Sequence, residues 1–285
     1  MIYSRLFGGL GNQLFQYAAG RAVAERNQTP LVLDTRLAPP GSHWAYGLDR
    51  FNIDARVAEP AELPPSKEAP IGYALWRLFG RSPRFLRERG LGVNNSVLNA
   101  PDDVYLHGYF QSERYFSDCI DTLRDDLRFV DPPDAQNAEW LDHIAEGPSV
   151  SVHLRRGDYI SNDKAGATHA TCDQAYYTAA IAEVVRQTGV SPRIFVFSDD
   201  PDWARDNLRF DFETHVAGHN GPDRPHDDMR LIAACDHNVI ANSTFSWWGA
   251  WLNASPAKCV VAPKRWFGTA KLRNPDIIPE RWTVI

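Results

Sequence analysis

Ser151-Val152-His153-Leu154-Arg155-Arg156-Gly157-Asp158-Tyr159 is the most informative segment of the chain. Apolar residues alternate at positions 150, 152 and 154 and predict a short buried strand that ends in two arginines. In an α/β sheet, the carboxyl ends of the strands border the crevice where ligands bind. Guanidinium groups there are costly unless an anion faces them, and they suit phosphate. Two interpretations follow: a diphosphate site, or a structural salt-bridge cluster in which Asp158 satisfies an arginine.

The residues that follow position 148 alternate between strand and helix patterns. Such alternation predicts parallel crossovers and therefore an α/β fold with a doubly wound sheet. The predicted strands cover 149–155, 193–198, 213–217, 237–241 and 258–262, and the predicted helices cover 173–188, 201–207, 226–235 and 245–253.

The N-terminal residues form a similar unit. A predicted strand at 1–7 leads into a tight loop at Gly8–Gln13, a helix to about Arg26 and a strand at 30–34. Irregular sequence at 36–100 precedes a predicted strand at 104–112 and helices at 117–127 and 134–145. We therefore divide the chain into an N-terminal lobe (1–148), a second lobe (149–264) and a C-terminal segment (265–285) that we expect to pack back toward the first lobe.

Three interpretations fit the glycine loop. It resembles a dinucleotide fingerprint in which Asp34 binds a ribose, although residue 14 is leucine where a third glycine is expected. Alternatively, Gly9 and Gly11 let a ligand approach the backbone closely, with amide contacts from Asn12 and Gln13. The third interpretation is a plain tight turn.

Composition excludes several classes of protein. A net charge of −6 argues against general binding of nucleic acid or anionic membranes. The four cysteines are widely spaced, which favours reduced thiols over a zinc site. No apolar run reaches membrane-span length and the N-terminus lacks a signal-peptide pattern, so we expect a soluble, cytoplasmic protein.

Acidic residues follow the strand predicted at 193–198. Asp200-Pro201-Asp202 matches the D-x-D pattern of metal–diphosphate sites. The same residues match an acidic cap with proline in the first helical turn, which we favour over a metal site because two arginines already supply positive charge. Hydrogen bonds from Asp199 or Asp200 to a nucleoside are a third interpretation, and it is compatible with the cap.

The strand predicted at 237–241 runs into Asn242-Ser243-Thr244-Phe245-Ser246, which can begin a helix. Free N–H groups at a helix N-terminus attract anions, and the hydroxyls of Ser243, Thr244 and Ser246 add donors.

Trp247, Trp248 and Trp251 are predicted to fill the core rather than to form a platform on which a sugar stacks. His153 lies on the same strand face as Arg155 and is a candidate contact for a nucleobase. Pro225-His226-Asp227-Asp228 reads as an acidic first helical turn rather than a metal site.

These motifs together resemble the α-1,2-fucosyltransferases of glycosyltransferase family 11, in particular the bacterial ones. The similarity runs in order from residue 3 to about residue 263. It is carried by Gly8-Gly9-Leu10-Gly11-Asn12-Gln13-Leu14-Phe15-Gln16-Tyr17, His153-Leu154-Arg155-Arg156-Gly157-Asp158-Tyr159, Phe197-Ser198-Asp199-Asp200 and Asn242-Ser243-Thr244-Phe245-Ser246-Trp247-Trp248.

The resemblance implies a GT-B fold, in which two Rossmann-like lobes face a central cleft. It implies GDP-fucose as donor, the 2-hydroxyl of a terminal galactose as acceptor, and inversion without a metal or a further cofactor. The first lobe would bind the acceptor and the second lobe GDP-fucose. By the same analogy, Arg155 or Arg156 holds the β-phosphate, and His153 with Asp199 or Asp200 faces the guanosine. The other residues that the resemblance implies as substrate contacts are Gly9, Gly11, Asn12, Asn242, Ser243, Thr244, Phe245 and Ser246.

The catalytic residues implied are Arg155, Arg156, Asp158 and Asn12, but the base that deprotonates the acceptor stays open. Asp158, Asp163 and His169 are candidates, and the leaving phosphate is an alternative. Rival functions are a metal-dependent GT-A-type transferase using Asp200-Pro201-Asp202, a non-catalytic nucleotide-sugar-binding protein and a dinucleotide-dependent oxidoreductase. The acceptor glycan and the oligomeric state are not predicted.

Overall fold

The computed structural model describes residues 1–42, 44–65, 71, 74–75, 84–156, 172–269 and 272–285. It forms two compact units, Met1–Arg128 and Phe129–Ile285. A parallel β-sheet lies at the centre of each unit. The predicted α/β class with two Rossmann-like lobes is therefore confirmed.

The first unit contains a sheet of strand order β3-β2-β1-β5-β4. Its strands are β1 (Ile2–Phe7), β2 (Leu31–Leu37), β3 (Arg56–Val57), β4 (Arg84–Arg87) and β5 (Val104–His107), and its helices are α1 (Leu10–Arg26), α2 (Asn95–Leu98) and α3 (Ile120–Asp126). Short 3₁₀ helices cover Leu48–Arg50, Pro60–Glu62 and Glu113–Tyr115. Strand β1 lies in the middle of this sheet and is largely buried.

The predicted loop at Gly8–Gln13 is wrong for residues 10–13, because helix α1 already begins at Leu10. The backbone N–H groups of Asn12 and Gln13 both donate to the Gly9 carbonyl, at 2.9 and 3.1 Å. Only Gly8 and Gly9 separate the strand from the helix. Gly8 has φ +77°, a conformation that side chains disfavour, so the tight connection requires glycine there.

The second unit contains a sheet of strand order β11-β10-β9-β6-β7-β8. Its strands are β6 (Ser149–Leu154), β7 (Arg193–Ser198), β8 (Thr214–Val216), β9 (His237–Val239), β10 (Val260–Ala262) and β11 (Thr283–Val284). Its helices are α4 (Ala135–Ala145), α5 (Gln174–Thr188), α6 (Pro201–Asn207), α7 (Pro225–Ala234) and α8 (Thr244–Leu252). Every strand and helix predicted after residue 148 is confirmed, with small shifts at the ends.

Helices cover both faces of this sheet. Strand β6 is buried along its whole length. One apolar cluster joins the sheet to α5 through Tyr177 and Ile181, and another joins it to α7 through Leu231. Helix α8 packs tightly on α7, because a Cβ at Gly249 would lie 2.4 Å from Ile232 Cγ2. The predicted tryptophan core is confirmed, since Trp247, Trp248 and Trp251 are fully buried.

The division between the units falls after Arg128, not at residue 148 as the sequence predicted. Helix α4 belongs to the second unit because Ile144 is buried against Phe195 and Leu231 of that unit. The end of the C-terminal segment adds strand β11 beside β10. That this segment reaches toward the first lobe stays a prediction, as do the roles of the lobes.

Among the described residues, no helix is long and apolar enough to span a membrane. Cys119, Cys172, Cys235 and Cys259 are free thiols. The cytoplasmic location expected from the sequence stays a prediction.

Candidate functional site

Strands β6 and β7 bring the arginine motif and the acidic motif together. Leu154 pairs with Ser198 at the end of their parallel ladder, so Arg155 and Asp199 follow side by side. Arg155 Nη1 lies 3.1 Å from Asp199 Oδ2, and the backbone N–H of Arg156 donates to Asp199 Oδ1 at 2.9 Å. The salt-bridge interpretation therefore holds in part, with Asp199 as a partner. Asp158, the partner named from the sequence, lies outside the described residues.

The Arg156 side chain lies on Trp203. The guanidinium carbon is 3.4 Å from the indole ring centroid, and Nε lies 3.5 Å from Asp200 Oδ2. A guanidinium on an aromatic face is held in a defined orientation with its planar donors directed outward. Trp203 was not singled out in the sequence, because a tryptophan in a helical turn more often fills the core.

The two acids of the D-x-D pattern have different partners. Asp200 caps helix α6 by accepting from the Trp203 backbone N–H at 3.2 Å. Asp202 is 91% exposed and pairs with Arg205 at 2.6 Å. This geometry supports the helix-cap interpretation that the sequence analysis favoured.

His153 is a buried, neutral imidazole at this end of β6. Its side chain is 5% exposed, its ring lies 5.4 Å from that of Phe245, and Nδ1 has no hydrogen-bond partner among the described residues. Burial, assisted by the nearby charge of Arg155, lowers the pKa of His153 to about 3. The group is therefore suited to a hydrogen bond with an uncharged partner such as a nucleobase.

We expect His153 to make the protein less stable in acid. The folded pKa of about 3 lies below the ordinary value of 6.5, so between these values the unfolded chain binds the proton and the folded chain does not. The contribution of His153 to the free energy of unfolding is fully present above about pH 6.5 and is lost as the pH falls toward 3. The loss of stability is measured as the change in the urea unfolding midpoint between pH 7 and pH 5, for wild type and for His153→Gln. The variant should lose less stability between the two pH values, and equal losses would contradict the burial argument.

Helix α8 begins at the end of strand β9 and was predicted to bind an anion. Ser243 caps it by accepting from the Phe245 backbone N–H at 3.3 Å. Ser246 is fully buried, with its hydroxyl 3.2 Å from the Ser243 carbonyl, and Asn242 donates to the Trp266 carbonyl at 3.0 Å. Asn242 and Ser246 thus shape the helix start, whereas Thr244 and Phe245 are partly exposed.

A further polar group follows strand β8 at the same edge of the sheet. Asn220 donates to Asp228 Oδ1 at 2.8 Å and to Asn137 Oδ1 at 3.0 Å. Burial raises the pKa of Asp228 to about 6. Arg224 contacts Asp227 at 2.6 Å in the first turn of α7, so the helix-start interpretation of this motif is confirmed. A carboxyl with such a shift at a ligand-binding edge is a functional candidate that burial reveals and the sequence did not.

The glycine loop of the first unit is held by its own amides. Gln13 is fully buried, and its Nε2 donates to the carbonyls of Gly8 and Ala45 at 2.9 Å each. Asn12 Oδ1 accepts from Gln111 Nε2 at 3.0 Å. Gln13 is therefore structural, and Asn12 as a ligand contact stays a prediction, as do Gly9 and Gly11.

Asp34 does not suit the ribose of a dinucleotide. Its carboxylate is fully buried and accepts from Arg36 Nε and Nη2 at 2.9 and 2.8 Å. Tyr105 donates a further hydrogen bond to it. The dinucleotide interpretation of the glycine loop is therefore wrong.

The candidate catalytic bases Asp158, Asp163 and His169 lie outside the described residues, as does Gly157. The choice among them stays open. What the described residues bring to the carboxyl edge of the second sheet is a pair of oriented arginines, a neutral histidine and a helix N-terminus. Oriented donors of this kind can bind a phosphate anion and stabilise charge that grows on it.

Sequence relatives agree with this chemistry. A family model described as Glycosyl transferase family 11 matches residues 82–285. An α-1,2-colitosyltransferase of Escherichia coli is 34% identical, covering 100% of this chain and 99% of the relative. The O-antigen biosynthesis glycosyltransferase WbnK of the same species is 33% identical over 93% of this chain and 95% of the relative. A galactoside α-(1,2)-fucosyltransferase 1 of Saimiri sciureus is 30% identical over 86% of this chain and 63% of the relative.

Solved structures show the fold class. The α-1,6-fucosyltransferase NodZ, soaked with GDP-fucose, matches with a TM-score of 0.52 at 14% identity, covering 91% of this chain and 94% of that one. POFUT1 in complex with GDP also matches with a TM-score of 0.52, at 15% identity, covering 92% and 97%. These structures have the GT-B fold, and the two parallel sheets described above place this chain in that class.

Proposed function

The chain belongs to glycosyl transferase family 11, and on that premise we propose that it transfers L-fucose from GDP-fucose to the 2-hydroxyl of a terminal galactose. We propose further that the transfer inverts the anomeric centre and needs no metal ion. The observation that carries the proposal is the pair Arg155 and Arg156, oriented by Asp199, Asp200 and Trp203 at the edge where ligands bind. A galactoside α-(1,2)-fucosyltransferase among the relatives supports the linkage and the acceptor.

The mechanism follows from where charge develops. Cleavage of the fucosyl–phosphate bond leaves negative charge on the diphosphate of GDP, and donors aimed at that charge stabilise the transition state more than the ground state. An arginine oriented by a carboxylate is still suited to this, because a guanidinium has five N–H donors and one carboxylate engages at most two. The partly positive N-terminus of helix α8, capped by Ser243, adds to the stabilisation.

His153 and the acceptor complete the proposed site. A neutral imidazole keeps the base-binding region free of an extra positive charge, so we assign His153 to the guanine. The acceptor hydroxyl must lose its proton to a base or to the leaving phosphate. Asn12 and the glycine turn are proposed to contact the fucose, and the first lobe to bind the acceptor.

The transfer assay should compare two donors, because a relative that matches over 99% of its own length is named a colitosyltransferase. Colitose is fucose without its 3-hydroxyl, so a site that hydrogen-bonds this hydroxyl discriminates strongly between the sugars. Release of GDP from GDP-fucose and GDP-colitose is measured with a galactose-terminated disaccharide. Turnover with GDP-fucose, and none when the acceptor galactose is 2-deoxy, is expected. Binding without turnover of either donor would contradict an enzyme, and efficient transfer to the 2-deoxy acceptor would contradict the linkage.

Transfer is expected to persist in EDTA at 25 °C. Two arginines supply the positive charge that a divalent ion provides in D-x-D enzymes, and the carboxylates of Asp200 and Asp202 already have separate partners. The initial rate is measured before and after chelation, and again after Mn²⁺ is added. Loss of turnover that Mn²⁺ restores would instead support a metal-dependent transferase using Asp200-Pro201-Asp202.

A further inference from the structure

Two histidines and a glutamate converge at the outer edge of the second sheet. His143 lies in the last turn of helix α4, and Glu213 and His215 lie at strand β8, the edge strand. One ligand atom from each lies within 4.8 Å of the others. His215 pairs with Phe195 inside the β7–β8 ladder. The arginine cluster, which is Arg155 and Arg156 with Asp199 and Asp200, instead follows the ends of β6 and β7. The cluster of His143, Glu213 and His215 is therefore separate from the proposed nucleotide site.

The spacing of the ligand atoms fits a tetrahedral ion. His143 Nε2 lies 3.3 Å from His215 Nε2, and His215 Nε2 lies 3.0 Å from Glu213 Oε1. An ion with bonds of about 2.0–2.1 Å in tetrahedral geometry holds neighbouring ligand atoms roughly 3.3 Å apart. The exposed Glu213 side chain can rotate to complete the third ligand position, and water can occupy the fourth.

The surroundings orient the first imidazole for metal binding. His143 Nδ1 lies 3.0 Å from Glu146 Oε2, which also accepts from Arg193 Nη1 at 3.0 Å. A carboxylate partner at Nδ1 places the proton there and leaves the Nε2 lone pair for an ion, as in carboxylate–histidine–metal sites. Arg193 Nη1 lies 3.3 Å from Nδ1, on the nitrogen that would not bind the ion, and Glu146 balances its charge.

The buried Phe195 ring fixes the positions of both imidazoles. The His215 ring stacks on it with centroids 5.2 Å apart, and the His143 ring meets it edge-on at 5.6 Å. The imidazoles therefore need little rearrangement to bind an ion, which keeps the ordering cost of binding low.

We propose that His143, His215 and Glu213 bind a divalent transition-metal ion of the zinc class, which ties helix α4 to edge strand β8. Two imidazoles and one carboxylate suit Zn²⁺, whereas Mg²⁺ and Ca²⁺ prefer ligand sets made of oxygen. The role is structural, because the strand and helix that the ion joins lie beside the arginine cluster and not within it. Binding stabilises the folded state, since the unfolded chain does not assemble these ligands.

The protein, freed of metal by a chelator that is then removed, is titrated with Zn²⁺ by calorimetry and with Co²⁺ by visible absorption. We expect one ion per chain, a higher melting temperature with Zn²⁺, and Co²⁺ bands of a four-coordinate site without thiolate charge transfer. His143→Gln and His215→Gln should each lower Zn²⁺ affinity by more than about 100-fold. His107→Gln and Glu139→Gln, which alter an imidazole and a carboxylate outside the cluster, should not.

Three results would overturn the proposal: no Zn²⁺ binding by the wild type, unchanged affinity in both cluster variants, or a thiolate band with Co²⁺. Absence of Zn²⁺ binding by the wild type would mean that the three side chains only form hydrogen bonds with one another. The metal-site proposal and the fucosyltransferase proposal have separate tests, because fucosyl transfer is measured as turnover in EDTA at 25 °C. A wild-type protein that turns over GDP-fucose but does not bind Zn²⁺ would therefore contradict only the metal site.

Discussion

Replacing Arg155 or Arg156 with alanine is expected to lower kcat/KM for fucosyl transfer by about 10²–10³-fold, the loss typical of a preorganised donor. Both side chains lie at the carboxyl edge of the second sheet and are held there by Asp199, Asp200 and Trp203. Removing either one leaves the developing charge on GDP with less stabilisation. The rate is measured as GDP release at saturating acceptor.

The control for this prediction is Arg186→Ala. Arg186 is 70% exposed on helix α5 and pairs with Glu183, so its loss removes a charge without touching the strand ends. Melting temperatures of all three variants establish that they remain folded. Wild-type turnover in both Arg155→Ala and Arg156→Ala would show that the cluster is a structural ion-pair network only.

Replacing Trp247 with alanine is expected to lower the free energy of unfolding of the second unit by about 3–5 kcal/mol, the usual cost of truncating a buried aromatic side chain. Trp247 is fully buried, its indole N–H donates to the Ile277 carbonyl at 2.7 Å, and its ring lies 5.2 Å from that of Trp282. The residue thus joins helix α8 to the C-terminal segment, and its loss leaves both a cavity and an unpaired carbonyl.

Urea unfolding followed by near-ultraviolet circular dichroism measures this difference. Trp44→Ala is the matched control, because Trp44 is 50% exposed and lies in the first unit. We expect its cost to stay within about 1 kcal/mol. Equal unfolding midpoints for wild type and Trp247→Ala would contradict a packing role for the tryptophan helix.

Strands β6 to β10 of the second unit were predictable because their apolar residues follow a strand pattern. In β6, Val150, Val152 and Leu154 alternate with polar residues, whereas β7 contains the continuous apolar run Ile194-Phe195-Val196-Phe197. Strands β3 and β11 have two residues each and lie at sheet edges, where no apolar alternation develops. An edge strand of only two residues therefore leaves no recognisable pattern in the sequence.

The components of the candidate site were predictable, but their partners were not. The register of β6 and β7 brings Asp199 beside Arg155, an acid that the sequence analysis assigned only to a nucleoside; Asp158, which it placed beside the arginines, lies outside the described residues. The Ser246 hydroxyl was expected to reach a phosphate, yet it lies near the carbonyl of its own helix start. Side-chain direction and strand register arise from tertiary packing, which residue spacing alone does not express.

The affinity of GDP relative to GMP, measured by calorimetry for wild type and Arg155→Ala, tests the diphosphate site most directly. GMP lacks the β-phosphate, and a charge-assisted hydrogen bond to that group contributes about 1.5–3 kcal/mol, or about 10–100-fold in affinity. We expect wild type to prefer GDP by at least about this factor, and Arg155→Ala to bind GDP and GMP with nearly equal affinity. The same preference for GDP in both proteins would contradict the assignment of Arg155 to the β-phosphate.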